Sequence, residues 1–143
     1  MEWIVEREDV WATSIEDKPG GLAKKLTTLA DAGADLDFII ARRSTERPGT
    51  GVLFVTPLRA DQEVQAATEA GFSVASRMHT LRVEGPNEPG IAGKLAHRMA
   101  KAGINIRGLS AAVTGMRFVI HLAFDSDADC QKAMKTLQTK PAS

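Results

Sequence analysis

Two short stretches of the chain have the residue types and spacing to hold a small charged molecule: Asp17-Lys18-Pro19-Gly20 and Asn87-Glu88-Pro89-Gly90. Each precedes an apolar-periodic run that reads as a helix. A helix start offers unpaired backbone N–H groups carrying about half a positive charge, and these attract a carboxylate. Gly20 and Gly90 have no Cβ to keep a ligand away from the backbone. The neighbouring Asp17 carboxylate or Asn87 amide oxygen accepts from an ammonium group. The same residues are equally sound helix-start chemistry, with the Asp or Asn side chain closing the first turn, so both readings stand. Asn87 is neutral and lies in the more basic half of the chain, which makes the second loop the stronger candidate.

Other chemistries find less support. Gly85-Pro86-Asn87-Glu88-Pro89-Gly90 has G-x-x-x-x-G spacing, but Ile91-Ala92 follows where a phosphate loop needs Lys-Ser/Thr. Its two prolines also remove backbone donors. His79, His97 and His121 are scattered, with no H-x-x-x-H pair and no second cysteine, so no metal is expected. His97 reads as a solvated helix residue and His121 as a packed sheet residue. Cys130 has no basic neighbour in sequence to activate it and shares an apolar stripe with Ala133, Met134 and Leu137. Neither a G-x-S-x-G nor a paired-carboxylate motif is present. No catalytic residue and no cofactor is therefore expected. Trp3 and Trp11 read as packing residues, and Arg42-Arg43 with Arg47 as a solvated hairpin tip.

The elements that position the two loops repeat. Asp17–Gly20 is echoed by Asn87–Gly90, and Ala30-Asp31-Ala32-Gly33-Ala34-Asp35-Leu36 by Ala100-Lys101-Ala102-Gly103-Ile104-Asn105-Ile106, both at an offset of 70 residues. Two matched blocks at one ungapped offset indicate a tandem duplication. Each copy opens with an alternating strand, Val10–Ile15 or Leu81–Glu84. A helix follows, marked by Leu22, Leu26 and Leu29 in one copy and by Ala92, Leu95, Ala96 and Met99 in the other. Gly33 and Gly103 serve as its C-terminal caps. Strands at Leu36–Ala41 and Val52–Thr56, or Ile106–Val113 and Arg117–Phe124, precede a last helix, Asp61–Ala70 or Asp127–Leu137. Phe72–Met78 is a closing strand for the first copy. The expected fold is α+β: two ferredoxin-like (βαββαβ) units, antiparallel sheets with helices on one face. Their expected limits are residues 1–71 and 72–143.

The second copy lacks a closing strand of its own, since Gln138–Ser143 is polar and broken by Pro141. Subtracting the offset carries Phe72–Met78 onto Glu2–Glu8, so Trp3–Arg7 is expected to fill that edge, as in a circular permutation.

Composition bounds the rest. The 143 residues are 43% apolar and 25% charged, with 18 basic and 18 acidic side chains. That is a globular composition without the basic excess of a nucleic-acid binder. Residues 1–70 carry 8 basic and 13 acidic side chains, residues 71–143 carry 10 and 5, so the halves attract each other or a neighbouring copy. A single cysteine, an acidic N-terminus and the lack of a long apolar run point to a cytoplasmic protein without membrane contact.

Strand–(Asp/Asn)-x-Pro-Gly–helix–Ala-Gly-(Ile/Ala)-(Asn/Asp)-(Ile/Leu)–strand, met twice, resembles the ACT domain, a small regulatory module of amino-acid metabolism. The resemblance implies a free-standing, non-catalytic tandem protein that binds an amino acid where a strand–helix loop faces a neighbouring unit. It assigns ligand contacts to Asp17, Lys18, Pro19, Gly20, Gly21 and Leu22, and to Asn87, Glu88, Pro89, Gly90, Ile91 and Ala92. Asn87 takes the slot where amino-acid-sensing members hold an Asn against the ligand. Ala92 departs from the Leu usual after Pro-Gly-x. An enzyme of amino-acid metabolism is the partner the resemblance implies, while the opposite charges of the two halves and the open sheet edges point to a homodimer or larger assembly. The alternative is an interaction subunit that regulates an enzyme without binding a ligand.

Overall fold

A computed structural model of the chain describes residues 3–138. The chain begins with β1 (Ile4–Glu8) and continues through β2 (Trp11–Glu16), α1 (Gly21–Asp31), β3 (Phe38–Arg43), β4 (Thr50–Thr56), α2 (Asp61–Glu69) and a short β5 (Ser73–Val74). The order then repeats as β6 (His79–Pro86), α3 (Ile91–Lys101), β7 (Ile106–Thr114), β8 (Arg117–Phe124) and α4 (Asp127–Gln138). Two compact units result. The central unit runs from Asp9 to Ala75, and the composite unit joins β1 to everything from Ser76 onward. Each unit has one antiparallel four-stranded sheet, ordered β3-β4-β2-β5 in the central unit and β1-β6-β8-β7 in the composite unit.

In the composite unit the alternation of β6 and β8 puts Leu81, Val83, Phe118, Ile120, Leu122 and Phe124 on one buried face. The stripes Ile91, Leu95 and Met99 of α3, and Cys130, Ala133 and Leu137 of α4, close over it. The central unit has a smaller core of Leu29, Leu53, Val55, Ala67 and Phe72. Of the stripe expected on α1, Leu29 is buried, Leu26 is partly buried and Leu22 is exposed. Side chains set both second helices: the Glu63 carboxylate accepts from the Arg59 and Ala60 N–H groups at the start of α2, and Ser126 Oγ accepts from Asp129 N before α4.

β1 runs antiparallel to β6, with Val5 opposite Val83 and Arg7 opposite Leu81. Trp3 meets Phe118 edge to face at 6.1 Å, and the Arg98 guanidinium lies 5.3 Å above its ring. Gly85 is required there, because a Cβ on it would come within 2.7 Å of the Trp3 ring. At the other end Arg7 pairs with Asp127 at 2.6 Å, and Glu8 bonds the buried His121.

Several expected boundaries shift. The closing strand expected over Phe72–Met78 contracts to Ser73–Val74, because Phe72 turns into the core and only Ser73 and Val74 find partners on β2. The strand expected at Leu36–Ala41 begins at Phe38, since Leu36 packs against the core while the Asp37 N–H already bonds Thr56 O. Beyond Gln138, the tail expected to be polar and strandless lies outside the described residues. No described helix is long and apolar enough to cross a membrane.

Candidate functional site

Both strand–helix loops place glycine, not Asp or Asn, at the helix N-cap. Gly20 has φ 89° and Gly90 φ 80°, a left-handed conformation that favours glycine, and neither helix receives a side-chain cap. The capping reading of Asp17 and Asn87 is thereby corrected: both stand three residues before the N-cap. The Asp17 carboxylate accepts from Arg43 Nε at 2.5 Å, and the Asn87 N–H donates to Met116 O. Asp17 raises the pKa of Arg43, first through that hydrogen bond and then through its charge. Arg43 is therefore not merely the solvated tip residue the sequence suggested, since β3 brings it back to the loop.

Two open grooves flank the first loop. The larger, of about 840 Å³, runs along α1 towards the C-terminal end of α2, past Lys18, Pro19, Gly20, Gly21, Lys24 and Lys25 on one side and Glu69 and Ala70 on the other. The smaller, of about 430 Å³, is lined by Asp17, Lys18, Pro19 and Leu22 with Arg42 and Arg43. All six residues assigned to the first loop thus face one groove or the other. Gly21 is held close to β2, where a Cβ would collide with the Glu16 carbonyl oxygen. Lys18 lies 2.6 Å from Glu16. That hydrogen bond, with the charge behind it, holds the Glu16 carboxyl below its ordinary range and raises Lys18.

The second loop is built differently. Asn87, Glu88, Pro89 and Gly90 are exposed, Glu88 pairs with Lys94 at 3.0 Å, Ile91 is buried in the core and Ala92 packs against it. Sequence reasoning missed Lys24, Lys25, Glu69 and Arg43. The one available signal was Lys25, a cation set three residues after Leu22 and four before Leu29, inside the stripe that should be apolar. Among the described residues, no three His, Cys, Asp or Glu side chains gather where a metal could bind. His97 is exposed and Cys130 is buried, its thiol pKa pushed up by burial.

Residues 79–129 match the family model of the ACT domain. That segment is similar to an ACT domain. No curated protein matches. Among solved structures, a protein from Bacteroides thetaiotaomicron superposes with a TM-score of 0.74 at 18% identity, over 92% of this chain and 88% of its own. The regulatory subunit of aspartate kinase from Thermus thermophilus gives 0.64 at 17% identity, over 96% and 95%. Aspartate kinase from Clostridium acetobutylicum gives 0.61 at 16%, over 95% of this chain and 33% of that one. At such identities the likeness is one of fold. That fold is the α+β, ferredoxin-like architecture of ACT regulatory domains.

Proposed function

We propose that this chain is a non-catalytic regulatory protein that binds an amino acid at its strand–helix loops, Asp17–Leu22 and Asn87–Ala92, and so governs an enzyme of amino-acid metabolism. The reading also includes a cytoplasmic homodimer or larger assembly that uses no cofactor and no metal. It draws support from the ACT match and from solved structures of similar fold that are regulatory parts of aspartate kinases. The observation that carries it is the groove beside Lys18–Gly21, where lysines and glutamates stand together. An α-amino acid offers a carboxylate to the first and an ammonium to the second.

A second reading, an interaction subunit that needs no ligand, is favoured by one observation. Leu109, Val113 and Met116 are exposed on and beside the edge strand β7, where an apolar strip next to unpaired backbone groups suits another chain. Calorimetric titration of the full chain with each of the twenty common amino acids separates the two. Saturable heat with at least one is expected, accompanied by a rise in melting temperature. Silence across the set favours the interaction subunit.

A further inference from the structure

The two units descend from one repeat, so wherever one departs from the other in its core, the departure needs a reason. The offset of 70 residues aligns Gly21 with Ile91 and Lys25 with Leu95. In the composite unit Ile91 and Leu95 are buried and belong to the core between α3 and the sheet. In the central unit the same two helix positions hold a residue without a side chain and a half-buried lysine, and both line the groove of about 840 Å³. Lysine is among the residues least often placed in a core, and close packing is the norm for interiors. The central unit therefore keeps an open groove, with lysines and glutamates along it, at the place where its sister has packed side chains. Neighbouring positions change in the same sense. Lys18 aligns with Glu88, so the second loop neutralises Lys94 within itself at 3.0 Å. At the first loop Lys18, Lys24 and Lys25 all line the groove.

We infer that the groove between α1 and the C-terminal end of α2 in the central unit is the chain's amino-acid site, that it is complete within that unit, and that each chain takes one ligand. The inference rests on the reading of the chain as an amino-acid binder and selects between its two loops. The walls suit a zwitterion. The Lys18–Glu16 pair is exposed on both sides, so a ligand carboxylate and ammonium can each take one partner of it without leaving a charge unpaired. Glu69 supplies a second acceptor at the far end. Lys25 donates to Ala70 O at the C-terminal end of α2 and so holds the two walls of the groove together. Filling the groove with a leucine, as the composite unit does, should improve packing while removing the site. Opposed effects of this kind on stability and binding mark functional positions.

The test is calorimetry on the full chain, using whichever of the twenty amino acids gives the largest heat, with three variants. Lys25→Leu copies the composite unit and is expected to melt no lower than the parent while losing binding by about tenfold or more. Lys24→Glu, on the exposed side of α1, is expected to weaken binding comparably without touching the fold. Lys94→Ala, on α3 beside the other loop, should leave affinity unchanged, and the parent should titrate to one ligand per chain. Two ligands per chain would overturn the inference. So would parental affinity in Lys25→Leu and Lys24→Glu together with a loss in Lys94→Ala. Those results would leave amino-acid binding itself intact, whereas no heat from any of the twenty overturns both readings.

Discussion

Gly90 is the residue on which the second loop turns, because its φ of 80° is a conformation that costs a side-chain-bearing residue about 1–2 kcal/mol. A Cβ there would meet no atom within 4 Å, so strain in the backbone, and not a clash, sets the cost. Gly90→Val is accordingly expected to lower stability by about 1–2 kcal/mol in denaturant titration. An unchanged midpoint would mean that the loop relaxes freely. Charge acts at the same scale through Glu84. Its carboxylate accepts from Arg82 at 2.7 Å and from Arg117 at 3.0 Å, and these bonds hold its pKa below the ordinary glutamate value. A depressed carboxyl contributes stability that is fully present above its unfolded pKa and is lost as pH falls through the folded one. Glu84→Gln should therefore cost about 1 kcal/mol near neutral pH and much less in acid. An equal cost at both pH values would show that the arginines do not stabilise the charged form.

At the scale of elements, β1 lies some seventy residues from its partner strand in sequence, yet it is tied down at both ends. Trp3 contacts Phe118 and Arg98 at one end, and Arg7 and Glu8 reach Asp127 and His121 at the other. Trp3→Ala removes a half-buried aromatic together with its edge-to-face and cation–π contacts. It is expected to cost about 2 kcal/mol, less than the 3–5 of a fully buried ring. Deleting residues 1–8 exposes β6 as a bare edge and should destabilise or precipitate the chain. A truncated chain that melts like the full one would show that the strand carries no weight. The place of this strand was legible because the repeat offset carries Phe72–Met78 onto residues 2–8. The contraction of β5 to two residues was not, since a Phe at the start of an apolar run reads the same whether it extends a strand or turns inward.

For the molecule as a whole, the order of elements could be read from sequence because both copies keep the Pro-Gly and Ala-Gly punctuation that starts and stops their first helices. The grooves could be read only in part. Asp17–Leu22 stood out as loop chemistry, but Arg43 reaches Asp17 through the pairing of β3 with β4, and no local pattern specifies that register. Lys25 resembles a surface lysine until the stripe around it is known to face the sheet. The units are also unequal: among the described residues the central core gathers five buried apolar residues and the composite core fourteen. Because burial of apolar area is the main stabilising term, the central unit should open at lower free energy than the composite one. Native-state hydrogen exchange is the direct measurement. Amides of α1 and β4 are expected to exchange faster than those of α3 and β8. An amino acid that binds the central groove should slow the first pair while leaving the second nearly unchanged, since a ligand stabilises only the states that hold it. Equal protection in the two units without ligand would show that the chain opens as one cooperative body and that the difference in core size has no energetic consequence.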